Sequence, residues 1–221
     1  MIQKFVKDVG KALEDIKDGS TILVSGFGGA GLPTYLLDAL LEQGAKELTI
    51  VSNNAGNAGI GIAKLVGGGR VKKMICSFPR QPESGAFDDL YRQGKIELEL
   101  VPQGTLAERI RAGGAGIGGF YTRTGFGTRL ADGKEQKVID GEQYLFEKAI
   151  KGDFALIKAD IADRWGNLLY RRTGRNFGPI MATAAKTTIA QVNQFVDLGG
   201  IDPEAVVTPG VYVHRVVKVV V

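Results

Sequence analysis

The sequence predicts an α/β fold: an open, mostly parallel sheet with helices on both faces and a small antiparallel excursion, formed as one domain over residues 1–221. Three observations carry that expectation. Short apolar runs alternate with longer segments of helical spacing, the pattern of strands buried on both faces and joined by crossover helices. The 32 glycines cluster between those segments, at 26–31, 56–69, 113–119 and 125–127, where the backbone must turn sharply or approach another group. No internal repeat, low-complexity tract or linker divides the chain.

The elements follow in order. Phe5, Val9, Ala12, Leu13 and Ile16 fall at helical spacing over 4–16, and Asp18-Gly19 closes that segment as a turn. Residues 21–24 read as a buried strand that runs into Ser25-Gly26-Phe27-Gly28-Gly29-Ala30-Gly31. The next helix, 32–43, carries Pro33 in its first turn, where a missing N–H costs least, and Gly44 as its stop. A second strand at 48–51 completes the strand, turn, helix, strand unit that sets a parallel sheet.

The alternation continues with a helix at 60–66, a strand at 71–76, a helix at 87–92, a strand at 96–101 and a helix at 105–112. Beyond the glycine-rich stretch 113–133, the runs 136–139 and 143–146 flank Asp140-Gly141 as a hairpin. A strand at 154–159, a helix at 181–185 and a strand at 187–192 follow. Residues 211–216 have the pattern of a terminal strand, within which His214 is expected to be structural.

With 44% hydrophobic and 24% charged residues, the composition is that of a folded globular protein and excludes a disordered chain. The net charge is +4, but Lys and Arg are dispersed along the chain, which argues against nucleic acid and leaves anionic small molecules as ligands. Cys76 is the single cysteine, so no intrachain disulfide forms, and its place at a strand end suits a core residue better than a reactive thiol. No apolar run reaches the ~18 residues of a membrane span. The start of the chain lacks a signal-length apolar stretch, so the expected location is cytoplasmic, without membrane association.

Gly26, Gly28 and Gly31 satisfy G-x-G-x-x-G between a strand and a helix, the context in which a dinucleotide fingerprint gains weight. Such a site also needs a carboxylate at the end of the second strand to hold the ribose. Here that strand ends in Ser52-Asn53-Asn54-Ala55-Gly56, which argues against NAD. The turn remains a candidate backbone cradle for an anionic group at a helix start.

Residues 18–33 resemble the first signature of the family I coenzyme A transferases: Asp18-Gly19, an apolar strand, then Gly26-Phe27 and Gly31-Leu32-Pro33. The family's paired glycine before the Phe appears here as Ser25-Gly26. Further motifs fall in the family's order at 52–56, 101–109, 116–128, 163–167 and Thr208-Pro209-Gly210. The stretches 76–81, 87–92 and 94–99 look most like the A subunits of the branch that acts on 3-oxoadipate.

The resemblance implies a reaction in which a glutamate carboxylate attacks an acyl-CoA, passes through an anhydride and becomes a glutamyl-CoA thioester. It implies no metal and no cofactor, since coenzyme A is itself a substrate. In the family that glutamate belongs to the B subunit, so no catalytic residue is expected in this chain. Glu83, the nearest imitation here, suits a solvated loop carboxylate. The expected assembly is two A and two B chains acting on succinyl-CoA and a 3-oxoacid, 3-oxoadipate of aromatic catabolism first and acetoacetate or another short-chain acid as the alternative. A sugar-phosphate isomerase or ligand-sensing domain is the rival by fold analogy.

For this chain the implied CoA-binding segment is Val24, Ser25, Gly26, Phe27, Gly28, Gly29 and Ala30. Asn53 and Asn54 are candidate amide donors at a strand end, with turn formation as the alternative. Gln103 is expected beside the reacting acyl group, or else as a loop cap. Arg80 is the candidate for meeting a distal carboxylate, against the plain reading of a solvated charge.

Overall fold

The computed structural model describes residues 2–57, 59–79 and 85–219. Arg80 and Glu83, both singled out above, lie outside the described residues.

The chain opens with α1 (Val9–Leu13), β1 (Thr21–Val24), α2 (Thr34–Gln43), β2 (Leu48–Val51), α3 (Ile62–Gly67), β3 (Val71–Cys76), α4 (Gly85–Arg92), β4 (Glu97–Leu100) and α5 (Gln103–Gly114). An antiparallel excursion follows: β5 (Gly119–Thr122), β6 (Gln136–Ile139) and β7 (Glu142–Lys148). The last third holds β8 (Gly152–Lys158), β9 (Ile161–Asp163), β10 (Leu168–Leu169), α6 (Gly178–Thr183), β11 (Ala185–Val192), β12 (Gln194–Val196) and β13 (Arg215–Lys218).

Seven of these strands form one sheet in the order β13-β11-β8-β1-β2-β3-β4, and each neighbouring pair in it is parallel. From β1 the chain builds outward through β2, β3 and β4, then returns to the other side of β1 with β8 and builds outward again. The reversal point is the β1/β8 boundary, where open α/β sheets leave a crevice at the carboxyl ends of their strands. The glycine turn leaves β1 at that boundary.

Alternate residues of one strand enter different cores, as the period of two requires. Ile22, Ile50 and Met74 pack with Leu36, Leu37 and Leu65 on one face. Leu23, Val51 and Ile75 pack with Leu106, Ile110 and Met181 on the other. The excursion is antiparallel as expected. Its tip, Asp140-Gly141, takes positive φ at both residues (51° and 80°), the backbone a two-residue hairpin of this twist requires.

Two elements begin four or more residues later than expected, and the other expected elements are displaced by three residues or fewer at their starts. The predicted helix at 4–16 shortens to Val9–Leu13, begun by Asp8, whose Oδ1 accepts from the N–H of Gly10 at 2.8 Å. Residues 4–6 pair instead with the sheet edge: Val6 N–H donates to Val216 O (2.9 Å) and Val216 N–H to Lys4 O (2.8 Å). The apolar strand β13 would otherwise present open backbone groups, and this cover outweighs the local helical spacing. The terminal strand also starts later than 211, because Gly210–Tyr212 is a tight 3-10 turn. A β-carbon on Gly210 would lie 2.2 Å from Trp165 O.

Candidate functional site

The glycine turn is held from beneath and behind. Val24 and Ser25 are fully buried, and Ser25 Oγ donates to Gly31 O (2.7 Å) while accepting from the N–H of Lys158 (3.1 Å). Phe27 and Ala30 exchange backbone hydrogen bonds at 3.0 and 3.2 Å, leaving Gly28 and Gly29 as the tip. Asn176 clamps the turn's two ends, its Oδ1 accepting from Gly26 N–H (3.1 Å) and its Nδ2 donating to Ala30 O (2.9 Å). Gly31, at φ 73°, lets the loop that carries Asn176 approach: a β-carbon there would sit 2.6 Å from Gly174 O. At the tip, Gly28 and Gly29 face open space.

Helix α2 does not offer the anion site that its position suggests. Gln191 Oε1, from β11, accepts from the free N–H groups of Tyr35 (3.0 Å) and Leu36 (3.3 Å), groups a helix start would otherwise present to an anion. The exposed backbone at this point therefore belongs to the turn rather than to the helix start.

Across from the tip, Asn53 ends the neighbouring strand with only 3% of its surface exposed. Its Oδ1 accepts from Gln103 Nε2 (2.7 Å) and from Ser77 Oγ (2.8 Å). Phe27, Gly28, Asn53, Ser77, Phe78 and Gln103 line one cleft, so four of the expected site residues converge. Asn54 does not join them: its Oδ1 accepts from Gly56 N–H (2.9 Å), the turn-forming alternative. Gly29 and Ala30 face a second cleft, on the other side of the turn, together with Lys158, Arg171 and Arg172.

Sequence reasoning missed Ser77, Asn176 and these arginines. Asn176 carried no signal, being 150 residues from its partner Gly26. The arginines did: three of the five residues 171–175 are Arg, a local run within an otherwise dispersed charge pattern.

Burial pushes the Cys76 thiol up to about 12, so it is a protonated core residue and not a nucleophile. Glu99 is opposed by burial, but hydrogen bonds from Lys73 and Arg109 outweigh it and hold its carboxyl below the usual carboxylate range. Arg109 joins the sheet edge to the antiparallel excursion, donating to Glu99 Oε1 (2.8 Å) and to Lys148 O (2.7 Å) beside the buried Glu147. Among the described residues, no group of three or more His, Cys, Asp or Glu side chains is placed to hold a metal, and no helix is long and apolar enough to cross a membrane.

A coenzyme A transferase family model matches residues 6–219. The chain belongs to the coenzyme A transferase family. That membership sets aside the sugar-phosphate isomerase and sensor readings, and members of this family take CoA as a substrate. Among curated relatives, the chain is 60% identical over 219 residues to the A subunit of 3-oxoadipate CoA-transferase from Pseudomonas putida, covering 99% of this chain and 95% of the relative. It is 46% identical over 217 residues to the A subunit of a succinyl-CoA:3-ketoacid coenzyme A transferase from Helicobacter pylori, covering 98% and 93%. An acyl-CoA transferase from E. coli O157:H7, solved as a thioester complex with CoA, superposes with a TM-score of 0.86 at 26% identity. The match takes in 98% of this chain and 50% of that one, so this CoA transferase chain spans about half the length of that transferase.

Proposed function

We propose that this chain is the A subunit of a hetero-oligomeric CoA-transferase, two A and two B chains working in the cytoplasm, that moves CoA from succinyl-CoA to 3-oxoadipate. The observation that carries the reading is the 60% identity, over nearly the full length of both chains, to an A subunit named for 3-oxoadipate. The naming of the relatives as A subunits and the half-length match to the E. coli transferase support a partner chain. The partner supplies the glutamate that forms the glutamyl-CoA thioester, and residues 1–221 act as one domain that supplies a wall of the site.

In this reading the Asn53–Gln103 cleft holds the reacting acyl group. Gln103 keeps one Nε2–H on Asn53 and turns the other toward the carbonyl, where developing negative charge is stabilised by a fixed donor. The exposed amides of Gly28 and Gly29 flank the thioester, and Phe27 packs on the ligand's apolar arm. Asn54 serves the site through its turn. Arg80 meets the distal carboxylate of a dicarboxylic acceptor.

The test is reconstitution. Co-expressed with its B chain, this chain should form a stable complex that converts succinyl-CoA and 3-oxoadipate, while the purified A chain alone should transfer nothing. Turnover by a verified partner-free sample would reject the division of labour. A complex that prefers acetoacetate would favour the second reading, a short-chain 3-oxoacid transferase, for which the 46% identity to the Helicobacter pylori protein is the support.

A further inference from the structure

The 3-10 turn Arg172–Arg175 lies against the glycine turn, held there by Asn176. Arg171, Arg172 and Arg175 are all exposed, and among the described residues none of the three forms an ion pair. Among the described residues, Asp160 is the one carboxylate on the rim of the adjoining cleft, and its Oδ1 is engaged by Asn193 Nδ2 at 2.8 Å. Arg172 takes φ 49°, a conformation that a bulky side chain adopts only where the surroundings impose it, and such strain concentrates at ligand clamps.

Two clefts meet at one aromatic ring. Phe27 lines the Asn53–Gln103 cleft, and Phe27 with Ala30 also lines a cleft walled by Arg172, Thr173, Arg175 and Asn176. A ligand whose reacting carbon sits at Gln103 can therefore run past Phe27 and end among guanidinium groups. Unpaired arginines concentrated on a docked loop repel one another, a cost an anionic ligand removes, and the planar guanidinium fork grips two oxygens of a carboxylate or phosphate at once.

We propose that Arg172 and Arg175 form a subsite for the anionic end of a substrate, continuous across Phe27 with the Asn53–Gln103 cleft. The proposal rests on the functional reading above and deepens it. Oxyanion recognition is the shared chemistry, and that reading has two sources for it. The succinyl group and 3-oxoadipate both carry a distal carboxylate, which the two arginines would meet alongside Arg80, so one subsite would serve both half-reactions. The nucleotide end of CoA carries phosphates.

The experiment compares the wild-type complex of A and B chains with R172A/R175A, using four substrates in two pairs. The first pair is 3-oxoadipate against acetoacetate. The second is succinyl-CoA against the succinyl thioester of N-acetylcysteamine, which lacks phosphates. A rise in KM on the order of tenfold to a hundredfold for 3-oxoadipate with acetoacetate unchanged assigns the subsite to the distal carboxylate, the same rise for succinyl-CoA with the phosphate-free thioester unchanged assigns it to the phosphates, and either result supports the subsite. Equal losses for all four substrates, or none, overturn it. R172K/R175K guards against misfolding: it keeps the charge and loses the fork, and partial recovery of KM supports the subsite, whereas no recovery beyond the alanine pair overturns it. Calorimetry of the same complexes with CoA and with adipate reads the subsite without turnover. If the wild type transfers nothing, the functional reading fails, and this binding still tests the arginines: equal affinities in wild type and variant overturn the proposal.

Discussion

Gln103 Nε2 donates to Asn53 Oδ1 at 2.7 Å, tying the first residue of α5 to the end of β2 across the mouth of the cleft. The same Asn53 oxygen takes the Ser77 hydroxyl at 2.8 Å, so the amide plane is fixed from two directions. A donor oriented before the ligand arrives needs no reorganisation during reaction.

Gln103→Ala in the reconstituted complex should therefore lower kcat on the order of a hundredfold, the usual loss for one oxyanion donor, with KM little changed. Gln103 is exposed, so the melting temperature should stay near that of the wild type. Steady-state kinetics and a thermal melt check both halves; a loss confined to KM would place Gln103 in ground-state binding instead.

Asn176→Ala removes the clamp on the glycine turn: the bonds to Gly26 N–H, Ala30 O and, at 2.7 Å, Thr173 O. Gly26 N–H, part-buried and left unpaired, costs roughly 1–3 kcal/mol, whereas Ala30 O keeps the N–H of Phe27 and the exposed Thr173 O can turn to water. The urea midpoint should fall and the KM for succinyl-CoA should rise together. A variant with wild-type stability and affinity would show that the turn holds its shape without the clamp.

Arg109→Ala takes one of two cations from Glu147, which has 3% of its side chain exposed and keeps Lys134, and Glu99 loses its 2.8 Å bond while keeping Lys73. Leaving a buried charge with no partner costs about 3–5 kcal/mol, and with Lys134 and Lys73 still in place the loss here should fall below that range. Urea denaturation should show that loss in the isolated chain, largest near neutral pH. Glu99 has a depressed pKa in the fold, so its share of the stability is present above its unfolded value and is lost as the pH falls through the folded one. Acid should therefore narrow the gap between variant and wild type.

His214 Nδ1 accepts from the N–H of Thr188 at 3.0 Å, a bond that protonation of Nδ1 abolishes. Burial first, then the charges of Lys4 and Arg215, hold its pKa below the ordinary 6.5. Below 6.5 the unfolded chain binds more protons, so this contribution is present above about 6.5 and is lost as pH falls toward and through the folded pKa. Chemical denaturation between pH 5 and 7.5 should show a downward slope on the acid side, flattened in His214→Asn. An unchanged slope would mean that another group carries the titration.

Local pattern was enough for the fold class and for the glycine turn after β1. Strand runs buried on both faces, punctuated by glycine, leave a parallel sheet as the way to bury them, and the positions of β1, β2 and β3 follow from local apolarity alone. The Ser25–Gly31 turn and Asn53 were legible because strand ends in such sheets face a crevice. Whatever depends on residues distant in the chain was settled by tertiary packing. Gln191 closes the helix start that sequence reasoning offered to an anion, and Asn176 brings a basic loop beside the turn. Residues 4–6 give up helical spacing to cover β13. In each case a backbone group left without a partner by local structure is satisfied by a distant one, and unpaired buried polar groups are costly enough to override local preference.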